Sequence, residues 1–127
     1  MRVLIADDDR DTVLTLGILL RSEGYDVRLA QSGTEALSVA EQFRPDIALL
    51  DLNMPGRTGL EVAQELGGRA TPCPVLIAVS AHLGTEERRL AQTSGFRNFI
   101  SKPYDPDALL LLLDSLRPRG AGARNAS

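Results

Sequence analysis

The stretch Ala48-Leu49-Leu50-Asp51-Leu52-Asn53-Met54-Pro55-Gly56 decides the fold of this chain. The apolar run that leads into it, Ile47 to Leu50, is typical of a strand that is buried on both faces in a parallel sheet. The run ends at a single carboxylate, Asp51, and a Pro-Gly pair turns the chain four residues later. Because open α/β sheets present reactive groups at the carboxyl ends of their strands, Asp51 is a candidate functional residue. Judged alone, such an aspartate is more often a turn or cap residue.

Length and composition indicate the class of protein. The chain has 127 residues, enough for one domain with a hydrophobic core, and 43% of them are hydrophobic. A net charge of -3 argues against a general nucleic-acid surface and against attraction to a membrane. The single cysteine, Cys73, cannot form an internal disulfide, and no segment reaches the length of a membrane span. We therefore expect a cytoplasmic protein that contacts neither nucleic acid nor membrane directly.

Short apolar runs and amphipathic segments alternate five times along the chain. Ser32 and Glu35 form a capping box, which marks the start of the second helix. The alternation predicts a parallel five-stranded sheet with helices on both faces and right-handed crossovers. The predicted strands are 2–6, 25–29, 47–50, 75–79 and 96–101, and the predicted helices are 10–22, the capping box to 43, 58–66, 85–94 and 105–117.

Apolar stripes indicate the buried faces of the first and last helices. In the first helix, Leu14 and Ile18 are expected to widen the core stripe. In the last helix, Leu110 and Leu111 fall outside the leucine stripe, so this face is a candidate contact for a partner or a second copy. Burial under the preceding helix is an equally good expectation for them. The core stripes are Val13, Leu16, Gly17 and Leu20 in the first helix and Leu109, Leu112, Leu113 and Leu116 in the last.

The fourth helix and the carboxyl-terminal tail are the least apolar parts of the sequence. Leu90 and Ala91 are nearly the only apolar residues of segment 85–94, so we expect this helix to be loosely held and able to move. Beyond residue 117 no apolar pattern remains. We therefore predict one domain over 1–117, followed by a flexible tail or linker over 118–127.

Polar residues follow four of the five predicted strands. The first strand is followed by Asp7 and Asp8, the third by Asp51, the fourth by Ser80 and the fifth by Lys102. Because the carboxyl ends of parallel strands lie on one edge of the sheet, these side chains are expected to share one site. Carboxylates 4 Å apart repel by about 4 kcal/mol per pair at an effective dielectric constant of 20, so a cation is needed. Oxygen ligands favour Mg²⁺ or Mn²⁺ over zinc.

This set of residues suits phosphoryl transfer, in which positioning and charge neutralisation supply most of the catalysis. Asp51 would act as the nucleophile and form an acyl phosphate. Lys102 would bind one phosphoryl oxygen as a point charge, and the hydroxyl of Ser80 would bind another. The sequence therefore indicates a phosphoryl-accepting aspartate.

Each of these residues also has an ordinary structural interpretation. The acidic triplet at 7–9 could cap the following helix, as such triplets usually do. Ser80 could be a turn residue, and Lys102 a solvated surface lysine. Each ordinary interpretation is the more probable one for a residue taken singly. These five residues lie at strand ends that meet in space, and it is improbable that the ordinary interpretation is correct for all five at once.

Four short motifs make the chain resemble the receiver domains of bacterial two-component response regulators. The resemblance covers residues 2 to about 117 and is specific in combination. It implies a flavodoxin-like, doubly wound (βα)5 fold with strand order 2-1-3-4-5. The motifs are Asp7-Asp8, Asp51 within Asp-Leu-Asn-Met-Pro-Gly, Ser80-Ala81 and Lys102-Pro103-Tyr104.

The resemblance also implies roles for the acidic residues. Asp51 would take a phosphoryl group from a sensor histidine kinase or a histidine phosphotransfer protein. Asp8, Asp51 and the backbone carbonyl of Asn53 would bind Mg²⁺, and Asp7 would act mainly through the water shell of the metal. Lys102 would contact the phosphoryl group. The protein would then be a signalling switch that catalyses only its own phosphorylation and dephosphorylation, rather than an enzyme with a separate substrate.

Two further residues are switch candidates by the same resemblance. Ser80 would move toward the phosphoryl group, and Phe99 would swing inward in response. The changed surface would lie on the fourth helix, fifth strand and fifth helix, where an effector or a second copy could bind. An ordinary core phenylalanine is an equally good interpretation of Phe99. The resemblance also implies a cis peptide bond before Pro103.

The chain departs from the family pattern at two positions. Thr58-Gly59 stands where the family usually has Asp-Gly, which changes a polar contact in the loop but leaves the metal ligands in place. Phe99 lacks the hydroxyl of the commoner tyrosine, so it can act only by packing. His82 is expected at the rim of the site, where it could tune water access and phosphate lifetime or be inert.

Two other classes of protein could use a similar set of residues. A small phosphatase or phosphotransferase with an aspartyl nucleophile would usually carry a second aspartate two residues later as general acid. The chain has Asn53 there, which cannot perform that role. A flavodoxin-like cofactor binder would need a phosphate-cradling loop after the first strand, where the acidic triplet 7–9 would repel phosphate unless a metal intervened.

Overall fold

A computed structural model describes residues 1–69, 73–81 and 83–116 of the chain. Within them, strands and helices alternate in the predicted way. None of the helices in this described part is long and apolar enough to cross a bilayer. The elements are β1 (Arg2–Ala6), α1 (Arg10–Ser22), β2 (Asp26–Ala30), α2 (Gly33–Phe43), β3 (Ile47–Asp51), α3 (Gly59–Arg69), β4 (Val75–Ser80), α4 (Thr85–Thr93), β5 (Asn98–Ser101) and α5 (Pro106–Ser115).

The strands form one parallel sheet in the order β2-β1-β3-β4-β5. Successive residues of a strand point to opposite faces, so the sheet has two hydrophobic cores. One core lies under α1 and α5, and the other under α2, α3 and α4. The prediction of a doubly wound, flavodoxin-like (βα)5 fold is therefore confirmed. This topology brings the carboxyl ends of all five strands to the same edge.

The predicted end of α3 is wrong, because the helix continues through Gly67 and Gly68 to Arg69. A glycine inside a helix costs only about 1 kcal/mol relative to alanine, and the buried Val62 and Leu66 anchor the preceding turns. Gly24 behaves differently, since its φ of 91° takes the chain out of the helical region just after α1, which ends at Ser22. The left-handed conformation at Gly24 thus accompanies the end of its helix, whereas Gly67 and Gly68 have no positive φ.

The predicted widening of the α1 stripe is also wrong. Leu14 and Ile18 are 43% and 69% exposed, while the narrower predicted stripe of this helix is buried. A Cβ on Gly17 would lie only 3.2 Å from the side chain of Leu29, so α1 approaches β2 closely at this point. Because the helix rests on the sheet along this one stripe, its flanks face solvent.

The last helix follows its predicted stripe in part. Leu109 and Leu113 are fully buried, whereas Leu112 and Leu116 are only half-buried at the edge of the core. Leu110 is also half-buried and packs against this core under α1 and α5, so the expected burial under the preceding helix is wrong for it. Leu111 is 72% exposed and does lie outside the stripe. The helix ends at Ser115, two residues before the predicted end at 117, and the predicted tail at 118–127 falls outside the described residues.

The fifth strand begins later than predicted because the turn after α4 uses part of that segment. The amide of Phe96 donates to the carbonyl of Ala91, and Gly95 has a φ of 109°. Phe96 therefore belongs to the helix-terminating turn, and sheet pairing starts at Asn98, opposite Ile77. The second strand is displaced by one residue, and β3 and β4 extend one residue further than predicted.

Candidate functional site

The acidic triplet after β1 divides into three different environments. Asp7 is 4% exposed, and its amide donates to the carbonyl of Ala30. Asp8 is exposed at the rim. Asp9 is the N-cap of α1, where its carboxylate accepts hydrogen bonds from the Asp11 amide and the Thr12 hydroxyl. The bond from Thr12 is the main reason that the pKa of Asp9 is lowered. The capping interpretation therefore holds for Asp9 alone.

Asp51 closes β3 and is held by the loop that follows. Its Oδ1 accepts a hydrogen bond of 3.0 Å from the amide of Asn53. The start of α3 packs directly behind it, since a Cβ on Gly59 would lie 2.4 Å from the carbonyl oxygen of Asp51. Only glycine fits there without moving the strand end. Gly59, the first residue of α3, thus allows the helix to pack closely behind Asp51.

Lys102 joins two of the acidic residues. Its Nζ lies 2.8 Å from Oδ2 of Asp7 and 2.9 Å from Oδ2 of Asp51. Its amide donates to the carbonyl of Ser80, which fixes the end of β5 against the end of β4. Lys102 is the only lysine in the sequence. The peptide bond between Lys102 and Pro103 is cis, as the resemblance implied.

The site carries more negative than positive charge. Burial raises the pKa of Asp51, and the charge of Asp7 adds to this, although hydrogen bonds from Asn53 and Lys102 oppose it. Burial alone would lower the pKa of Lys102, but its bonds to Asp7 and Asp51 outweigh burial and raise it. Lys102 is therefore an ammonium ion at neutral pH. One ammonium faces three carboxylates, counting Asp8 at the rim.

The donor set fits a hard divalent cation. Asp7, Asp8 and Asp51 each offer a carboxylate oxygen, and these oxygens all lie within 4.8 Å of one another. All three ligands are oxygens, a chemistry that suits Mg²⁺ or Mn²⁺. Asp8, the exposed member, leaves one side of the cluster open to solvent. An ion held there would keep water positions that another oxygen ligand could replace.

The two predicted switch residues lie on the same face of the sheet. Ser80 is 2% exposed at the end of β4, opposite Ser101 of β5. Phe99 is half-buried, pairs with Ala78 and packs against the core under α2, α3 and α4. Ser80 and Phe99 are thus diagonal neighbours across two adjacent strands. Their roles as switch residues stay predictions, and His82 falls outside the described residues.

Two neighbours of the site were given no role from the sequence, although Tyr104 is part of the Lys102-Pro103-Tyr104 motif. Tyr104 is half-buried, and burial, together with the nearby charge of Asp7, raises its pKa to about 12. Its place two residues after Lys102 was the available signal. The amide of Gly33, at the start of α2, donates to the carbonyl of Pro55 and so ties α2 to the loop after Asp51. Because Gly33 and Pro55 are far apart along the chain, no local sequence pattern could have predicted this contact.

Thr58, one of the two departures from the family pattern, begins a helix cap. Its hydroxyl accepts a hydrogen bond from the amide of Glu61, and the Glu61 carboxylate accepts one from the amide of Thr58. This reciprocal pair is a capping box, which stabilises the start of α3. The threonine thus forms a local cap, and neither of these bonds involves the acidic cluster.

Comparison with known proteins identifies a family over most of the chain. The family described as "Response regulator receiver domain" matches residues 3–114. The DNA-binding response regulator MtrA of Mycolicibacterium paratuberculosis is 37% identical over 109 residues, which are 86% of this chain and 48% of MtrA. The response regulator MprA of Mycobacterium sp. is 35% identical over 119 residues, 94% of this chain and 51% of MprA. The chain thus spans about half the length of these curated relatives.

Solved structures agree with the sequence comparison. A CheY-like response regulator receiver domain protein from Methanospirillum hungatei superimposes with a TM-score of 0.83 at 29% identity, over 90% of each chain. The chemotaxis protein CheY4 of Vibrio cholerae superimposes with a TM-score of 0.86 at 26% identity, over 91% of this chain and 98% of CheY4. The likeness therefore extends over the whole architecture around the acidic cluster.

Proposed function

The chain belongs to the response regulator receiver domain family, and on that premise we propose that it is a phosphoacceptor switch whose acceptor is Asp51. The phosphoryl donor would be a phosphohistidine of a sensor histidine kinase or of a histidine phosphotransfer protein. The protein would work in the cytoplasm. It would catalyse only its own phosphorylation and dephosphorylation, and would not turn over a separate substrate.

One observation carries the proposal: a buried carboxylate, Asp51, shares the ammonium of Lys102 with Asp7, and Asp8 stands beside them. Buried carboxylates repel one another, so a fold with no use for the cluster would be more stable without it. The three oxygens within 4.8 Å of one another support a divalent cation at this place, and we propose Mg²⁺ or Mn²⁺. When bound, the cation would neutralise charge on the phosphoryl group and on the carboxylates.

The chemical step is a displacement at phosphorus. A carboxylate oxygen of Asp51 attacks the phosphorus of the phosphohistidine, the phosphorus–nitrogen bond breaks, and the leaving imidazole nitrogen takes up a proton from solvent. The product is an acyl phosphate on Asp51. Lys102 already lies 2.9 Å from Oδ2 of Asp51, so its ammonium is placed to donate a hydrogen bond to a phosphoryl oxygen on that residue.

Phosphorylation adds about two negative charges at a place that is already negative. We propose that Ser80 and then Phe99 respond, and that the surface of α4, β5 and α5 changes for an effector or a second copy. Among the described residues of α4, β5 and α5, the exposed large hydrophobic side chains are Leu90 and Leu111, at 43% and 72% exposure. MtrA is described as a DNA-binding response regulator, but this chain has a net charge of -3. We propose that this chain acts through contacts with other proteins and does not itself bind nucleic acid.

Intact-mass spectrometry with acetyl phosphate tests the proposal. We expect the wild-type chain to gain the mass of one phosphoryl group in the presence of Mg²⁺, and to gain none when EDTA replaces the metal. Asp51→Asn removes the nucleophile and should abolish the gain. Asp26→Asn is a matched control, because Asp26 is exposed and begins β2 at the opposite edge of the sheet.

Three results would count against the proposal. The wild type could stay unmodified while a known receiver domain is modified in the same tube. The modification could persist in Asp51→Asn, which would place the acceptor elsewhere. Catalytic turnover of a small phosphate ester, with no accumulation of phosphoprotein, would instead favour the aspartyl phosphatase.

A further inference from the structure

Arg88 on α4 connects three separate segments near the predicted switch. Its Cζ lies 5.4 Å from the centre of the Phe99 ring on β5. Its Nε donates a hydrogen bond of 3.1 Å to the carbonyl of Leu83, in the loop between β4 and α4. Leu83 and Phe99 pack against the same hydrophobic core. The guanidinium thus lies on the ring while it is held by the loop.

The contact is a cation–π interaction, in which the positive guanidinium is attracted to the electron-rich face of the ring. Phe99 has no hydroxyl, so the position of its ring, half-buried against the core and under the Arg88 guanidinium, depends on packing and on this contact. The neighbouring strand offers little bulk beside the ring, since Ala78 is opposite Phe99 and Ser80 lies one step further along the same face. An inward rotation of the ring toward Ser80 would therefore pass two small side chains of β4.

The helix that carries Arg88 has few other anchors. Of residues 85–93, all within the described part of the chain, only Ala91 is buried. Gly84, the N-cap position, provides no side-chain hydrogen bond. The contact between Arg88 and β5 therefore contributes a larger fraction of the packing that holds α4 in place than the same contact would in a helix with more buried residues.

We propose that Arg88 is a latch that holds the Phe99 ring in its present position, against the guanidinium, in the unphosphorylated protein. The inference rests on the proposed function, because it assumes that inward rotation of Phe99 accompanies phosphorylation of Asp51. Rotation of the ring breaks its contact with Arg88, so the strength of that contact sets the fraction of molecules in the inward state. If that state accepts phosphate faster, the latch also sets the phosphorylation rate.

The latch is tested with the full chain carrying 4-fluorophenylalanine. The sequence has three phenylalanines, so the fluorine spectrum has three signals, and Phe99→Leu identifies that of Phe99. Fluorine saturation-transfer experiments on the unphosphorylated protein measure the population of a second ring state. The rate of phosphorylation by acetyl phosphate with Mg²⁺ is measured separately by intact mass. The variants are Arg88→Gln, Arg88→Lys and, as matched control, Arg89→Gln, since Arg89 is the next residue of α4 and pairs with Glu86.

We expect Arg88→Gln to raise both the population of the second state and the phosphorylation rate about two- to five-fold, which is the range set by an exposed cation–π contact. Arg88→Lys keeps the charge but loses the planar stack, so its effect should be smaller. Arg89→Gln should change neither quantity.

Two results overturn the latch. One is an Arg88→Gln protein in which the second ring state is absent or no more populated than in the wild type. The other is an equal effect of Arg89→Gln, which would make the change a general effect of charge on α4. Both results are measured as ring-state populations in the unphosphorylated protein, so they test the latch even if acetyl phosphate fails to modify Asp51. That failure is a separate result, and it would contradict the proposed function.

Discussion

Nζ of Lys102 lies 2.9 Å from Oδ2 of Asp51, although 51 residues separate the two along the chain. The same nitrogen lies 2.8 Å from Oδ2 of Asp7, 95 residues away. Both carboxylates are buried, and the lysine is about one quarter exposed, with a side-chain exposure of 28%. One ammonium therefore compensates two buried negative charges, and this imbalance determines how the site responds to mutation, pH and metal.

Replacing Lys102 with methionine should destabilise the fold. The change keeps the length and volume of the side chain but leaves Asp7 and Asp51 without a counter-charge. Leaving buried charges without their partner typically costs several kcal/mol, and partial exposure reduces this here to about 2 kcal/mol. Urea unfolding at pH 7 measures the loss. Arg89→Met, on the exposed face of α4, is the control and should change the free energy of unfolding by less than about 0.5 kcal/mol. Equal losses in the two variants would contradict the bridging role.

Replacing Asp51 with asparagine should stabilise the unphosphorylated protein at pH 7. Burial raises the pKa of Asp51, so folding favours its protonated form. This preference adds its full stabilisation to the fold when the pH is below the pKa of Asp51 in the unfolded chain. The stabilisation is lost as the pH rises through the pKa of Asp51 in the folded protein. At pH 7 the ionised group thus costs free energy that the neutral amide of the variant avoids. Thermal unfolding at pH 7 measures the difference as a higher Tm for Asp51→Asn than for the wild type. In a domain of this size, each gain of about 1 kcal/mol in the free energy of unfolding raises the Tm by about 3–5 °C.

The pH dependence of this stabilisation provides a further check. The difference in Tm between Asp51→Asn and the wild type should shrink as pH falls through the carboxylate range, because the wild type then becomes protonated. Asp26→Asn, at the exposed start of β2, should give no such pattern. A difference that grows toward acid pH would mean that folding lowers the pKa of Asp51 instead of raising it.

Magnesium should stabilise the wild type in a way that depends on Asp8 and Asp51. A cation that binds only the folded state at ten times its Kd adds about 1.4 kcal/mol to the free energy of unfolding. Thermal unfolding with and without Mg²⁺ measures this. Asp8→Asn and Asp51→Asn should each remove most of the shift, whereas Asp26→Asn should keep it. A shift of the same size in Asp8→Asn would place the cation away from the acidic cluster.

Two glycines of α3 should respond in opposite ways to alanine. In Gly59→Ala the new Cβ would meet the carbonyl oxygen of Asp51 at 2.4 Å, so the strand end must move. We expect a loss of about 1–3 kcal/mol, as in other overpacked sites, and slower phosphorylation by acetyl phosphate. Gly67→Ala is the control, because nothing lies within 4 Å of its Cβ and alanine favours the helix by about 1 kcal/mol. Equal behaviour of the two variants would show that Gly59 has no special role at Asp51.

Local patterns predicted the architecture because each element needs only its own residues to be recognised. The fully apolar run at 47–50 indicated a strand buried on both faces, and the alternation of such runs with amphipathic segments indicated a parallel sheet covered by helices. The same local rules failed for the end of α3 and for the flanks of α1. Whether Gly67 ends a helix, or Ile18 is covered, depends on the neighbours that pack around it, and those come from other parts of the chain.

The sequence by itself determined the alternating (βα)5 architecture, and with it the convergence of Asp7, Asp51 and Lys102 at one edge, because the ends of parallel strands necessarily meet there. Only the tertiary structure decided that Asp7 is buried, Asp8 lies at the rim and Asp9 caps a helix, although the three are adjacent and chemically identical. The reason is that burial and hydrogen bonding are set by contacts with residues distant in sequence, which a local pattern does not contain.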